Sequence, residues 1–345
     1  MNTMRSLSIL LSVVVLFCSN WSMAQKSKGY LPDKPGTWKY DYNIQAKTAG
    51  EIQFKKNNAA LAEWFHQHIP LFTQPKGYNL WAVSTGAWND HYKLSSANYG
   101  MRAEMDFYFH MFISDGSIWK AELPEACYYR FDVNNTQGGP INYHGQFPYF
   151  DYLKDDPKLE KAINTAASKL DDIKILSPFS KELAPGVHVY ETPGGKNSSL
   201  VVFNPARPNW YVPVTVKELA DIYLEYYSLY QKLEIDRMVL QELKNEIAAI
   251  PADELNEQAY MGHNSNIAFR FNGRKQGLPM VRFNPEYWDR SLPPSAIQFM
   301  NFWYPQRTES EMAEHYEQFG YPVYSQMLVN QINWTDVAGL IMKGN

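Results

Sequence analysis

Cysteine is nearly missing from this chain: only Cys18 and Cys127 occur in 345 residues. Apolar runs are scarce as well. The clearest lies near the N-terminus, where Arg5 precedes the stretch from Leu7 to Phe17 and Ser22-Met23-Ala24 follows. One charge, a short apolar core and small residues two apart are the marks of a secretory signal, so residues 1–24 read as a signal peptide and the mature chain as starting at Gln25. That core is too short to span a bilayer, and no later stretch reads as an integral membrane segment. Phe17 before Cys18 is too bulky for lipoprotein processing. With the signal removed Cys127 stands alone, so the secreted or periplasmic chain forms no internal disulfide and its core must hold the fold.

Positive charge is also in short supply. Without Arg5 the chain has 31 Lys and Arg against 36 Asp and Glu, a net charge of -5, with the two signs interspersed. A nucleic-acid partner would require a basic stripe, and none is present. Catalytic and cofactor motifs are missing too. There is no Gly-rich phosphate loop after a strand, no His-x-x-x-His or Cys-x-x-Cys, and no Gly-x-Ser-x-Gly elbow, so no cofactor and no metal site is assigned. His66 and His68 sit two apart on a helical pattern and point roughly 200° away from each other, which prevents both from gripping one ion.

What is present begins with the stretch from Arg102 to Ile113. Ala103, Met105, Phe107, Phe109, Met111 and Ile113 alternate with Arg102, Glu104, Asp106, Tyr108 and His110, the pattern of a half-buried strand. A three-residue loop at Ser114-Asp115-Gly116 would oppose Met111 to Trp119, Phe109 to Ala121 and Phe107 to Leu123, keeping apolar groups on one side. A two-residue Asp-Gly turn would mix the faces. The run from Cys127 to Val133 should continue the sheet with Cys127, Tyr129, Phe131 and Val133 inward, which makes Cys127 an inert buried thiol.

Helix signals flank this sheet. Thr48 to Glu51 has capping-box spacing ahead of Phe54, Leu61, Trp64 and Phe65, and Pro70 ends the pattern. Asp156-Pro157 supplies an N-cap and a first-turn proline. Thr215 to Glu218 and Thr308 to Glu311 repeat the box. From Leu219 to Ile250 apolar residues hold a three-four spacing with Asp236 as an interruption, which predicts one long helix over 215–250, roughly 50 Å if unbroken. Hairpins are expected at 187–205 and 267–285, where Val201, Phe203, Asn204 and Pro205 match Val281, Phe283, Asn284 and Pro285. Either a duplication or a shared strand-stop constraint explains the match.

The fold class that follows is α+β, with antiparallel β-sheets packed against helices and one long connecting helix. A region over 25–153 and a second over 154–345 divide the mature chain. Asn-x-Ser/Thr triplets at Asn134, Asn197 and Asn333 are acceptors only in a host that glycosylates secreted chains.

Two functions fit. The aromatic content, 15% with 24 tyrosines, fills cores but also suits surfaces that stack on sugars. The unpatterned stretch 134–152 offers Tyr143, His144, Gln146, Tyr149 and Tyr152 as ligand-binding residues beside Tyr108, which reads as an exported accessory protein binding a carbohydrate or small molecule. The alternative is a glycan hydrolase in which Glu104 and Asp106 share acid and base roles with His110 nearby. A solvated outer sheet face accounts for the charges of Glu104 and Asp106 without any catalytic role, and is the simpler reading.

Overall fold

The computed structural model describes residues 29–43, 46–86, 99–114, 119–123, 127–136, 138–142, 156–191, 197–229, 231, 234–261 and 277–342. The signal segment, Asp115 and Gly116, the first strand of the second hairpin copy, and Tyr143, His144, Gln146, Tyr149 and Tyr152 lie outside them.

The strands of a large sheet are β1 (Gly29–Tyr30), β2 (Trp38–Tyr42), β3 (Tyr78–Gly86), β4 (Ala103–Ser114), β5 (Trp119–Glu122) and β6 (Tyr128–Val133), with four more from later in the chain. A smaller sheet begins with β7 (Ile141–Asn142) and β8 (Ile173–Leu176). The large sheet resumes with β9 (Phe179–Ala184), β10 (Val187–Glu191) and β11 (Asn197–Phe203), and the small one with β12 (Tyr211–Pro213), β13 (Tyr260–Met261) and β14 (Leu278–Phe283). β15 (Phe299–Pro305) enters the middle of the large sheet, whose order is β2-β3-β4-β6-β15-β11-β10-β9, with β1 and β5 on β4. Both sheets join strands from either side of residue 153. Among the described residues all pairs are antiparallel except β2 with β3, so the class is α+β with one parallel pair.

Helices α1 (Ala49–His68) and α2 (Pro70–Thr73) pack with α7 (Tyr324–Gln331) and α8 (Trp334–Met342) over one face of the large sheet. Thr48 and Glu51 close a full capping box on α1, as Thr308 and Glu311 do on α6 (Glu309–Phe319). Alternation in β4 places Ala103, Met105, Phe107, Phe109 and Met111 in this core at 1% exposure or less, with Ile113 buried at 5%, and Cys127, Tyr129, Phe131 and Val133 join the core. Burial drives the Cys127 thiol well above its ordinary pKa, so it stays protonated. The two histidines of α1 stack separately, His66 on Trp38 and His68 on Trp64.

Part of the large sheet's second face, on β10, β11 and β15, packs against the small sheet through Val201, Phe203, Phe283, Trp210 and Trp288. Beyond the small sheet lie α3 (Pro157–Asp171), α4 (Val216–Leu229) and α5 (Glu234–Ala248).

Two expectations are corrected. The long helix over 215–250 is two helices, α4 and α5, that fold back on each other. The Val216 amide donates to the Glu257 carbonyl at 3.0 Å, and Leu219, Tyr223 and Tyr226 share a core with Leu243. A straight rod would leave half its apolar stripe in water, whereas the reversal lets the two halves cover each other.

The hairpin register is also different. Ser114 opposes Trp119, Ile113 opposes Lys120 and Met111 opposes Glu122, so β5 sits on β4 with the inverse parity to the one expected. β6 occupies the place foreseen for β5, setting Tyr129 against Phe107 and Phe131 against Met105. Those buried rings cover the greasy face better than Ala121 and Leu123 would, and Leu123 remains 43% exposed.

Where β6 ends, Asn134 takes a left-handed backbone conformation (φ 52°) and buries its side chain at 1% exposure. Its Nδ2 donates to the carbonyls of Met101 (3.0 Å) and Ala296 (2.8 Å), and its Oδ1 accepts from the amides of Gln298 (2.9 Å) and Phe299 (3.1 Å). That amide is therefore closed to glycan attachment in the folded chain. Asn134→Ala should lower the unfolding free energy by about 3 kcal/mol, because four backbone groups lose their partner, and Asn134→Gly should recover only about 1 kcal/mol of that through relief of the backbone. Urea denaturation decides it: an alanine variant within about 0.5 kcal/mol of wild type would refute this role.

Candidate functional site

The second face of β3, β4 and β6 carries charged and aromatic side chains in register across the strands. One row runs Lys39, Trp81, Tyr108, Tyr128; the next Asp41, Val83, Asp106, Arg130; a third Thr85, Glu104, Asp132, Asn301. Because side chains of directly paired residues emerge on one face, each row is a set of touching neighbours.

The aromatic row is continuous. Trp81 and Tyr108 have ring centres 5.8 Å apart, and Tyr108 and Tyr128 are 5.3 Å apart. Trp81 donates its indole N–H to Asp41 at 2.9 Å, and the Lys39 ammonium lies 5.0 Å over the Trp81 ring and 2.5 Å from the same carboxylate. The bond from Lys39, then that from Trp81, holds the Asp41 carboxyl below its usual pKa. His110 follows Tyr108 on this face, its ring 5.9 Å from Trp81, with its pKa lowered by burial.

The charged row is closed on itself. Arg130 grips Asp106 through Nε (2.7 Å) and Nη2 (3.1 Å), and Tyr128 and Tyr108 donate their hydroxyls to the same carboxylate at 2.9 and 3.3 Å. Nη1 of Arg130 reaches Glu104 at 3.2 Å. These bonds to Asp106 push the Arg130 pKa up, while burial and then the Asp106 charge push up that of Tyr128.

The solvated outer face foreseen for these charges is uneven: Arg102 and Asp106 are only 7% and 3% exposed, while the side chains of Lys39, Arg130 and Glu104 stay 63%, 44% and 37% open to solvent. Glu104 and Asp106 are joined by a shared arginine, and Asp106 has its acceptor sites filled. His110 stands six residues along the strand from Glu104, about 20 Å away at the backbone.

Arg130, Asp132, Tyr128 and Trp81 belong to this face and were not among the site residues expected. The parity of the run from Cys127 to Val133 contained the signal for three of them, since Tyr128, Arg130 and Asp132 alternate with the inward residues. Asp132 differs from the rest in its chemistry. It lies opposite Glu104, accepts from Asn135 Nδ2 at 3.0 Å, and burial pushes its pKa up to about 6, with the Glu104 charge adding to the rise and the Asn135 bond opposing it. Asn135 in turn accepts a bond from buried Arg102.

A carboxyl whose pKa is higher in the folded state than its unfolded 3.8 favours folding in its protonated form. Its contribution is complete below about pH 4 and is lost as pH rises through 6, on the order of 3 kcal/mol in all. Asp132→Asn should therefore gain stability over wild type as pH is raised from 4.5 to 7.5. Urea midpoints of the two proteins that differ equally at both pH values would show that Asp132 ionises normally.

Against this geometry, comparison with known proteins adds no relative: no family model, no curated protein and no solved structure matches the chain.

Proposed function

We propose that this is an exported ligand-binding protein whose row of Trp81, Tyr108 and Tyr128 takes up a glycan. The observation that carries the reading is the adjacency of three aromatic side chains on three neighbouring strands beside a fixed carboxylate and guanidinium. Sugar rings present apolar C–H faces for aromatic surfaces and hydroxyls for charged bonding groups, and this strip supplies both. Lys39 and Arg130 are matched by Asp41, Glu104 and Asp106, so the strip has no cationic excess to recruit a phosphate backbone. Export rests on the signal-like residues 1–24. Among the described residues no helix is long and apolar enough to cross a membrane.

A hydrolase is the second reading, and one observation favours it in altered form. Asp132, its carboxyl pushed up to about 6 by burial, faces Glu104 on the neighbouring strand, so an acid–base pair would consist of these two residues rather than Glu104 and Asp106.

Trp81→Ala and Tyr128→Ala should each weaken retention on immobilised polysaccharides about tenfold, the loss expected of one stacking contact worth about 1.4 kcal/mol. Unchanged retention of both variants on every polysaccharide that holds the wild type would reject the platform. Release of reducing ends by the wild type, abolished in both Glu104→Gln and Asp132→Asn, would establish the hydrolase instead.

A further inference from the structure

Helix α6 is closed at both ends yet covered along little of its length. The box of Thr308 and Glu311 starts it, and the amide of left-handed Gly320 returns to the Tyr316 carbonyl at 2.8 Å. Of its eleven residues His315 alone is buried. A helix this short is marginal in water without a packed face, because tertiary burial supplies most helical stability.

Its open side is not uniformly polar. Met312, Tyr316 and Phe319 recur at three-four spacing and so form one stripe. Tyr316 and Phe319 keep 49% and 48% of their surface in water. Phe319 lies against His315, with ring centres 4.7 Å apart. His315 is only 8% exposed, and its Nε2 is buried without a hydrogen bond. An unsatisfied buried polar atom costs about 1–3 kcal/mol, and this one stands beside the exposed ring of the stripe.

Charge on the helix has one sign. It carries Glu309, Glu311, Glu314 and Glu317 and neither lysine nor arginine. Glu311 is taken up by the capping box, whereas Glu309 and Glu317 are exposed and make no ion pair or hydrogen bond among the described residues. Glu309, Ala313 and Glu317, four residues apart, form the row next to the stripe, so the two free acids stand about 12 Å from each other along the axis.

An apolar seam beside a row of acids is what one helix presents to a basic amphipathic partner, with burial on the seam and ion pairs on its flank. Two copies of α6 face to face would oppose acid to acid, and an anionic lipid surface would be repelled by the same glutamates.

We propose that α6 docks a basic amphipathic helix of a partner protein, its apolar residues on Met312, Tyr316 and Phe319 and its lysines or arginines against Glu309 and Glu317. The inference is independent of the glycan reading, because α6 shares no residue with the aromatic strip.

Fluorescence anisotropy of the whole protein with a labelled helix-forming peptide tests it, the peptide having Leu at i, i+4 and i+7, Lys beside them and Ala elsewhere. Binding is expected, weakened by salt and at least tenfold tighter than that of the same peptide with Glu in place of Lys. Tyr316→Ala should weaken the Lys peptide about tenfold. Glu309→Gln combined with Glu317→Gln should remove most of the preference for Lys over Glu, and urea unfolding checks that both variants, altered only at exposed positions, remain folded. No binding of the Lys peptide, equal binding of the Lys and Glu peptides, or wild-type behaviour of both variants would overturn the proposal. So would self-association of the protein that Tyr316→Ala abolishes, since a second copy would then occupy the stripe.

Discussion

The four hydrogen bonds of the Asn134 side chain are the constraint on which the rest of the sheet depends. β15 comes from near the C-terminus, yet it sits between β6 and β11 and is the strand through which the two halves of the large sheet join. Asn134 binds the backbone just before β4 and at the start of β15, so one amide fixes where both strands begin. An asparagine suits the position twice over. It tolerates the left-handed backbone better than most residues, and its amide offers donors and an acceptor on one rigid plane. The next residue extends from that anchor, Asn135 reaching Arg102 and Asp132.

The polar face of β4 and β6 shows how a sheet carries buried charge. Asp106 is nearly inaccessible, and an isolated carboxylate there would lose far more hydration than one partner returns. Arg130 supplies a bidentate bond and two tyrosines complete the shell, so the charge remains in place with its bonding capacity used. A carboxylate so satisfied makes a rigid wall and a poor proton shuttle. Asp132, with an amide for partner and Glu104 opposite, lies where burial pushes the carboxyl up to about 6. The difference between these two acids arises from their neighbours on adjacent strands.

The large sheet treats its two faces unequally. One is sealed by helices along most of its width, while the small sheet reaches only β10, β11 and β15 on the other. The remaining strip over β3, β4 and β6 keeps its aromatic and ionisable groups because that layer stops short of it.

The sequence by itself determined which side each residue of β4 and β6 would present and where α1, α3 and α6 begin, because parity and capping are set within a few neighbouring residues. Which strand lies beside β4, the inverse register of β5, the reversal between α4 and α5, and the joining of Asp106 to Arg130 were decided only by the tertiary structure. Those outcomes compare distant segments for burial and bonding. Phe107 could be covered by Leu123 or Tyr129 as far as alternation reaches, and the choice rests on which packing removes more apolar surface from water.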